Sequence, residues 1–284
     1  MTNIPIRGLS LFVKVLGHGY PLALMHGGPG ADHHSMLPLR PCADQFTLVL
    51  YDHRCNGRSE GADVSSMTWE NLTADAEALR EKLGFEKWAV LGHSFGGMVA
   101  LEYAVRYPDH LSHLLLLDTC GDTWWVRCNA AEVLAKRGFS GTTVETARRF
   151  YTGRIEPHEF MPAMKRLGRA YYHNPSPLLM AREILTVGIR TRVRPEAQIF
   201  AFGNLLKGWT VMDRLREIQV PTLVLAGRTD FQFPPEHQAE LASSIPKADL
   251  KIVDRAGHNA HSEQSAVVVE HIKRFLATAD VGRA

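Results

Sequence analysis

Cysteine is scarce in this sequence. The four residues Cys42, Cys55, Cys120 and Cys128 form no Cys-x-x-Cys pair, and no Cys/His cluster has zinc-like spacing. A chain of 284 residues buries a core large enough to hold the fold without a disulfide framework, so free thiols in a reducing compartment are expected. Charge of one sign is also lacking. A formal net charge of +2 gives no overall attraction to nucleic acid or to a membrane surface. The longest apolar runs, such as Leu114–Leu117, fall far short of the roughly 20 residues that span a bilayer. Residues Met1 to Arg7 lack the charged patch and apolar run of a signal peptide. No internal repeat, low-complexity tract or flexible linker stands out. These absences make a cytoplasmic enzyme without nucleic-acid or membrane partners the default; a small-molecule partner and a monomer or homodimer are expected, though the absences themselves do not set the oligomeric state.

Short apolar runs alternate with helical patterns, which predicts an α/β fold with a mainly parallel, doubly wound sheet. The expected strands are Leu11–Val15, Leu22–Met25, Phe46–Tyr51, Trp88–Leu91, Leu114–Leu117, Thr222–Leu225 and Leu250–Val253. Helices are expected over Trp69–Leu83, capped by Thr68, then over Gly96–Tyr107, Pro235–Ser244 and Ser265–Leu276. The alternation breaks between Gly121 and Gly208, where helical patterning and aromatics dominate. That stretch has 14 Lys/Arg against 7 Asp/Glu. The pattern resumes with Trp209–Ile218. The simplest reading is a sheet core from residues 1–120 and 209–284, with a helical cap over 121–208. Most aromatics of the cap are expected to form its own core; Trp124 and Trp125 are candidates for pocket lining.

Gly92-His93-Ser94-Phe95-Gly96 follows an apolar strand and opens a helix. A tight strand-to-helix turn needs small residues two before and two after the exposed serine, which is where Gly92 and Gly96 stand. Ser94 is the expected nucleophile. A serine hydroxyl is weak at neutral pH and needs a base to take its proton. His258, after Ala256-Gly257, follows the last strand and is the expected base. Asp230, after the strand Thr222–Leu225, is the expected orienting acid. Both fall where ligand-facing loops collect at the carboxyl edge of a parallel sheet. Asp118 also sits just past a strand and competes with Asp230; His261 competes with His258. His258 is preferred because it directly follows the glycine that turns the chain back.

His26-Gly27-Gly28-Pro29-Gly30 follows another strand. Acyl transfer needs amide donors aimed at a developing oxyanion, and the N–H groups of Gly28 and Phe95 are the candidates. His26 is expected to brace this loop. His33-His34 resembles a metal pair only superficially, since neighbouring helical side chains point apart, and neither metal nor cofactor is expected. In Asp52-His53-Arg54-Cys55-Asn56-Gly57-Arg58, Asp52 and Arg54 are expected to make structural polar contacts, and Cys55 lacks a base.

Taken together, these motifs resemble the α/β-hydrolase superfamily along nearly the whole chain. The His-Gly-Gly-Pro-Gly piece looks most like the prolyl iminopeptidase branch and its esterase and lactonase relatives. The resemblance implies the α/β-hydrolase fold with a helical cap, Ser94, Asp230 and His258 as a triad, and Gly28 with Phe95 as an oxyanion hole. An iminopeptidase must hold a substrate ammonium, and in the iminopeptidases that this chain resembles an acidic residue follows the triad aspartate. Here that position is Phe231, and Glu183 and Glu196 are the remaining acidic candidates. An apolar Phe231 suits an acyl or aromatic group better than an amine, so a carboxylic ester or lactone is favoured over an N-terminal proline. A non-catalytic ligand-binding relative is the third reading, and no triad member is missing to support it.

Overall fold

The four strands that run as unbroken apolar stretches form the centre of the sheet, because a parallel strand is covered on both faces. The computed structural model describes residues 2–61 and 63–277. Its eight strands are β1 (Thr2–Ile6), β2 (Leu9–Leu16), β3 (Tyr20–Met25), β4 (Phe46–Tyr51), β5 (Trp88–His93), β6 (Leu111–Leu117), β7 (Thr222–Gly227) and β8 (Ala248–Val253). They lie in the order β1-β2-β4-β3-β5-β6-β7-β8; β2 runs antiparallel to both of its neighbours, β1 and β4, and the other neighbouring strands pair in parallel.

Alternate residues divide between two cores, as the period-two pleat requires. Leu22, Leu24, Leu48, Leu50, Leu91 and Leu115 face one side, where they meet the last helix and the segment after β3. Ala23, Met25, Val49, Val90, Leu114 and Val224 face the other. Among the described residues the α-helices begin with α1 (Trp69–Lys82) and α2 (Phe95–Arg106). Thr68 caps α1 by accepting the Asn71 N–H at 3.2 Å, a contact that typically contributes about 1 kcal/mol. Between β6 and β7 the chain forms α3 (Trp124–Lys136), α4 (Gly141–Tyr151), α5 (Phe160–Leu167), α6 (Pro177–Glu183) and α7 (Pro195–Phe200). Their buried residues, among them Val126, Leu134, Phe150 and Leu167, join the core of one sheet face. The sheet is completed with α8 (Pro235–Ser243), α9 (Ala260–Glu263) and α10 (Ser265–Ala277).

Several elements depart from the sequence-based expectation. β1 was not anticipated, because its Thr-Asn-Ile-Pro-Ile run shows little apolar signal; it pairs only with β2 at the sheet edge. His33–Asp44 forms a run of 3-10 helix around Pro38 and Pro41. Trp209–Ile218, where the strand–helix pattern was expected to resume, contributes one isolated bridge, Thr210 with Asp122, and a short 3-10 helix over Met212–Glu217. All four cysteines are free, and only Cys128 is exposed. No helix among the described residues is long and apolar enough to cross a membrane.

The strand order fixes where a site forms. From β3 the chain steps outward to β4 and then returns to β5 on the other side of β3. The loops leaving the carboxyl ends of β3 and β5 therefore diverge, opening a crevice at this switch point. One of these loops carries Gly27–Gly30 and the other carries Ser94.

Candidate active site

Ser94 sits at the turn between β5 and α2 with φ 53° and ψ −120°, backbone that an L-residue adopts only under strain. Gly92 and Gly96 make that turn possible. A Cβ on Gly92 would overlap the Gly96 carbonyl, and one on Gly96 would overlap the Met25 carbonyl. At Gly97 it would stand 2.5 Å from the Thr119 side chain. Thr119 Oγ1 in turn donates to the Ser94 carbonyl at 2.7 Å. The elbow is thus clamped from β3 and β6 together.

His258 Nε2 lies 2.9 Å from Ser94 Oγ, and His258 Nδ1 lies 2.8 Å from Asp230 Oδ2. The structure brings these three residues together from separate loops. Asp230 also accepts the Gln232 N–H at 2.8 Å through its other oxygen, which leaves its second carboxylate oxygen aimed at the imidazole. Asp118 and His261, the competing residues, are engaged elsewhere. Asp118 accepts Gly227 N–H at 2.7 Å and Ala260 N–H at 3.2 Å. Burial, and then the neighbouring Asp230, hold its carboxyl well above the usual range. His261 Nε2 meets the Ser35 carbonyl at 2.9 Å. His93 Nε2 meets the His258 carbonyl at 2.9 Å, and burial, followed by the nearby His261 and His258, pushes its imidazole well below the normal value.

Gly28 and Phe95 flank the serine. Among the described residues, neither backbone N–H is taken by another protein group. His26 braces the loop: its Nδ1 meets the Gly27 carbonyl at 2.9 Å, and its Nε2 accepts the His53 N–H at 3.2 Å. The next residues hold a polar network. His33 pairs with Asp52 at 2.7 Å and His34 with Asp32 at 3.0 Å, while Arg58 also pairs with Asp32. Contrary to the helical-spacing argument, the His33 and His34 rings do meet, with centroids 4.4 Å apart. Arg54 makes two bonds of 2.6 Å to Asp75. The Cys55 thiol meets the Asp63 carbonyl and the Ser66 hydroxyl, and burial raises its pKa. Two groups place metal-ligating atoms within 4.8 Å of one another, Asp32-His33-His34 and His93-Asp118-His261.

A cavity of about 350 Å³ opens over Ser94 and His258. The core loops supply its floor, and the insertion between β6 and β7 supplies Phe160, Met164, Tyr171, Tyr172, Val193 and Phe202. The sequence-based pocket residues need correction, since none of the three lines this cavity. Trp124 is 68% exposed; it precedes Val126 by two residues, about 200° around the helix from the buried Val126–Ala130–Leu134 stripe. Trp125 packs edge-on against His237. Phe231 is fully buried behind the wall, against the Tyr151 and Tyr171 rings. No carboxylate or cationic side chain lines the cavity among the described residues. Glu183 is turned to Arg182 and the Tyr172 hydroxyl, and Glu196 pairs with Arg194. Among the polar residues that line it are three amides, Gln198, Gln232 and Asn259, which the sequence does not mark because an isolated amide side chain carries no signature.

Residues 20–265 match the family described as alpha/beta hydrolase fold. The chain belongs to this family. It is an enzyme of the α/β-hydrolase type. It is similar to the proline iminopeptidase PfmaB of Pestalotiopsis fici, 27% identical with 96% of this chain and 98% of that protein covered. Among solved structures it is similar to a thermophilic esterase from Thermogutta terrifontis (26% identity, TM-score 0.70, 98% and 97% covered). The fold is shared with proline iminopeptidase from Mycobacterium smegmatis (24% identity, TM-score 0.75, 98% and 99% covered).

Proposed function

We propose that this α/β-hydrolase is a serine hydrolase that cleaves a carboxylic ester or lactone of a small, partly apolar substrate. The relay Ser94 Oγ–His258 Nε2–Asp230 Oδ2, at 2.9 and 2.8 Å, carries the reading. The Ser94 hydroxyl passes its proton to His258 as its oxygen bonds to the substrate carbonyl carbon. Asp230 holds the tautomer with a proton on Nδ1 and stabilises the imidazolium. Gly28 and Phe95 N–H donate to the oxyanion, each such donor contributing about 3 kcal/mol to the barrier reduction. The carbon–oxygen bond to the leaving group then breaks, and His258 Nε2 protonates the departing oxygen. Water, deprotonated by the same histidine, splits the acyl-enzyme and restores Ser94. The helices inserted between β6 and β7 act as a cap that shields these steps from bulk water.

The names of the similar proteins favour a second reading, prolyl aminopeptidase activity on the same triad. The uncharged lining of the cavity supports the ester or lactone instead, because a buried ammonium requires a partner. Turnover of aryl esters, lactones and prolyl naphthylamide by wild type and Ser94→Ala separates them. Ester or lactone turnover above that of the amide, lowered on the order of 10⁴-fold or more in the variant, is expected. Full activity in Ser94→Ala removes the nucleophile assignment, and preference for the prolyl amide transfers the chain to the second reading.

A further inference from the structure

Ser94 stands on the wall between two very unequal spaces. On one side is the 350 Å³ cavity, which His258 also lines. On the other is a pocket of about 20 Å³ bounded by Phe95, Met98, Val126, Phe202, Leu206 and Phe233. His258 does not line it. Room of that size accepts about one water-sized group. Its polar neighbours are mostly engaged: Arg127 donates to the Phe202 carbonyl at 2.8 Å, and Thr123 to the Leu206 carbonyl at 2.6 Å. Gln232 lines both spaces, and its buried Nε2 has no partner among the described residues.

We infer that the enzyme is selective for short acyl groups on bulky apolar alcohols, with the acyl substituent in the small pocket and the alcohol in the large cavity. The inference rests on the triad assignment above and follows from the proton inventory. After the carbon–oxygen bond breaks, the leaving oxygen must take its proton from His258 Nε2, so the alcohol has to lie on the side that His258 faces. Only the large cavity meets that condition. The acyl substituent is thereby directed across Ser94 into the small pocket, whose buried walls accommodate a methyl group and little more. The free Gln232 N–H at the junction supplies a donor for an oxygen of the bound ester. A five-membered prolyl ring exceeds the small pocket, which agrees with an ester substrate.

The test is a pair of substrate series on the purified enzyme. Benzyl esters from acetate to octanoate vary the acyl side; acetates of methyl, butyl, benzyl and naphthylmethyl alcohols vary the other. The expected result is that kcat/KM falls tenfold or more between acetate and hexanoate, about the scale that a rigid apolar pocket exerts per misfit group, while it rises with alcohol size. Met98→Ala and, independently, Leu206→Ala enlarge the small pocket and are expected to move the acyl optimum to longer chains. Octanoate cleaved as well as acetate, by a Ser94-dependent reaction, overturns the inference and leaves the triad intact. Activity that survives in Ser94→Ala instead overturns the underlying triad reading.

Discussion

Gly30 and Arg194 are locked face to face: the Arg194 N–H donates to the Gly30 carbonyl at 2.8 Å, and a Cβ on Gly30 would overlap the Arg194 carbonyl. The contact joins the loop after β3 to the strap that precedes α7, far along the insertion. The Arg192 N–H donates to Asp32 at 2.8 Å, and the Arg194 side chain donates to the carbonyls of Ser59 and Gly61. Val193, between these anchors, is part of the cavity wall.

Gly30→Ala is therefore expected to damage both stability and the pocket. Gly30 has φ +86°, a conformation that costs an L-residue roughly 1–2 kcal/mol before any overlap is counted. The new methyl group must also push the strap, and Val193 with it, away from the loop Gly27–Gly30. Thermal melting should show a lower midpoint, and steady-state kinetics a reduced kcat/KM. A variant that matches wild type in both would show that the strap does not rest on Gly30.

The two buried aspartates beside the site should respond differently to the same substitution. Asp230 faces His258 Nδ1, so Asp230→Asn presents an amide that favours the wrong imidazole tautomer, and kcat is expected to fall about 10⁴-fold. Asp118 instead ties Gly227, three residues before Asp230, to Ala260, two residues after His258. Asp118→Asn removes an acceptor from one of these buried N–H groups, at a cost of about 1–3 kcal/mol in stability. Its activity should remain far above that of Asp230→Asn. Denaturant titration and kcat on both variants check this, and a reversed order would make Asp118 the orienting acid.

The parts of this molecule that were legible in the sequence share one physical cause. β4 to β7 are buried on both faces, so their apolar runs stand out from the helices between them. Glycines at 92, 96 and 257 mark backbone approaches that tolerate no side chain, and they flag the turns carrying Ser94 and His258. The pocket wall had no such marker. Its residues come from short helical pieces, interrupted by π-helical turns at Ile184–Gly188 and Ala201–Leu205, so spacing alone does not reveal which side faces inward. Phe231 illustrates the limit. Its position beside Asp230 suggested the pocket, but the loop turns its ring into the core against Tyr151 and Tyr171.

Acid should weaken the fold through the histidines behind the site. Burial pushes the His261 imidazole down to about 4, whereas an unfolded chain binds that proton near pH 6.5. Folded pKa below unfolded pKa means that the stabilising contribution is complete above about pH 6.5. It declines as pH falls through this window and is lost below about 4. The shift corresponds to about 3 kcal/mol for a group this deeply buried. Burial lowers His26, His53 and His93 in the same direction, so the wild type should lose stability steeply over the interval. His261→Gln retains an amide donor that can serve the Ser35 carbonyl and removes one titrating group. Its unfolding free energy, measured by denaturant titration from pH 7 to pH 4, should therefore depend on pH less steeply than that of wild type. Parallel curves for the two proteins would mean that the folded state takes up the His261 proton as readily as the unfolded chain, which a ring buried beside His93 with its Nδ1 unpartnered does not allow.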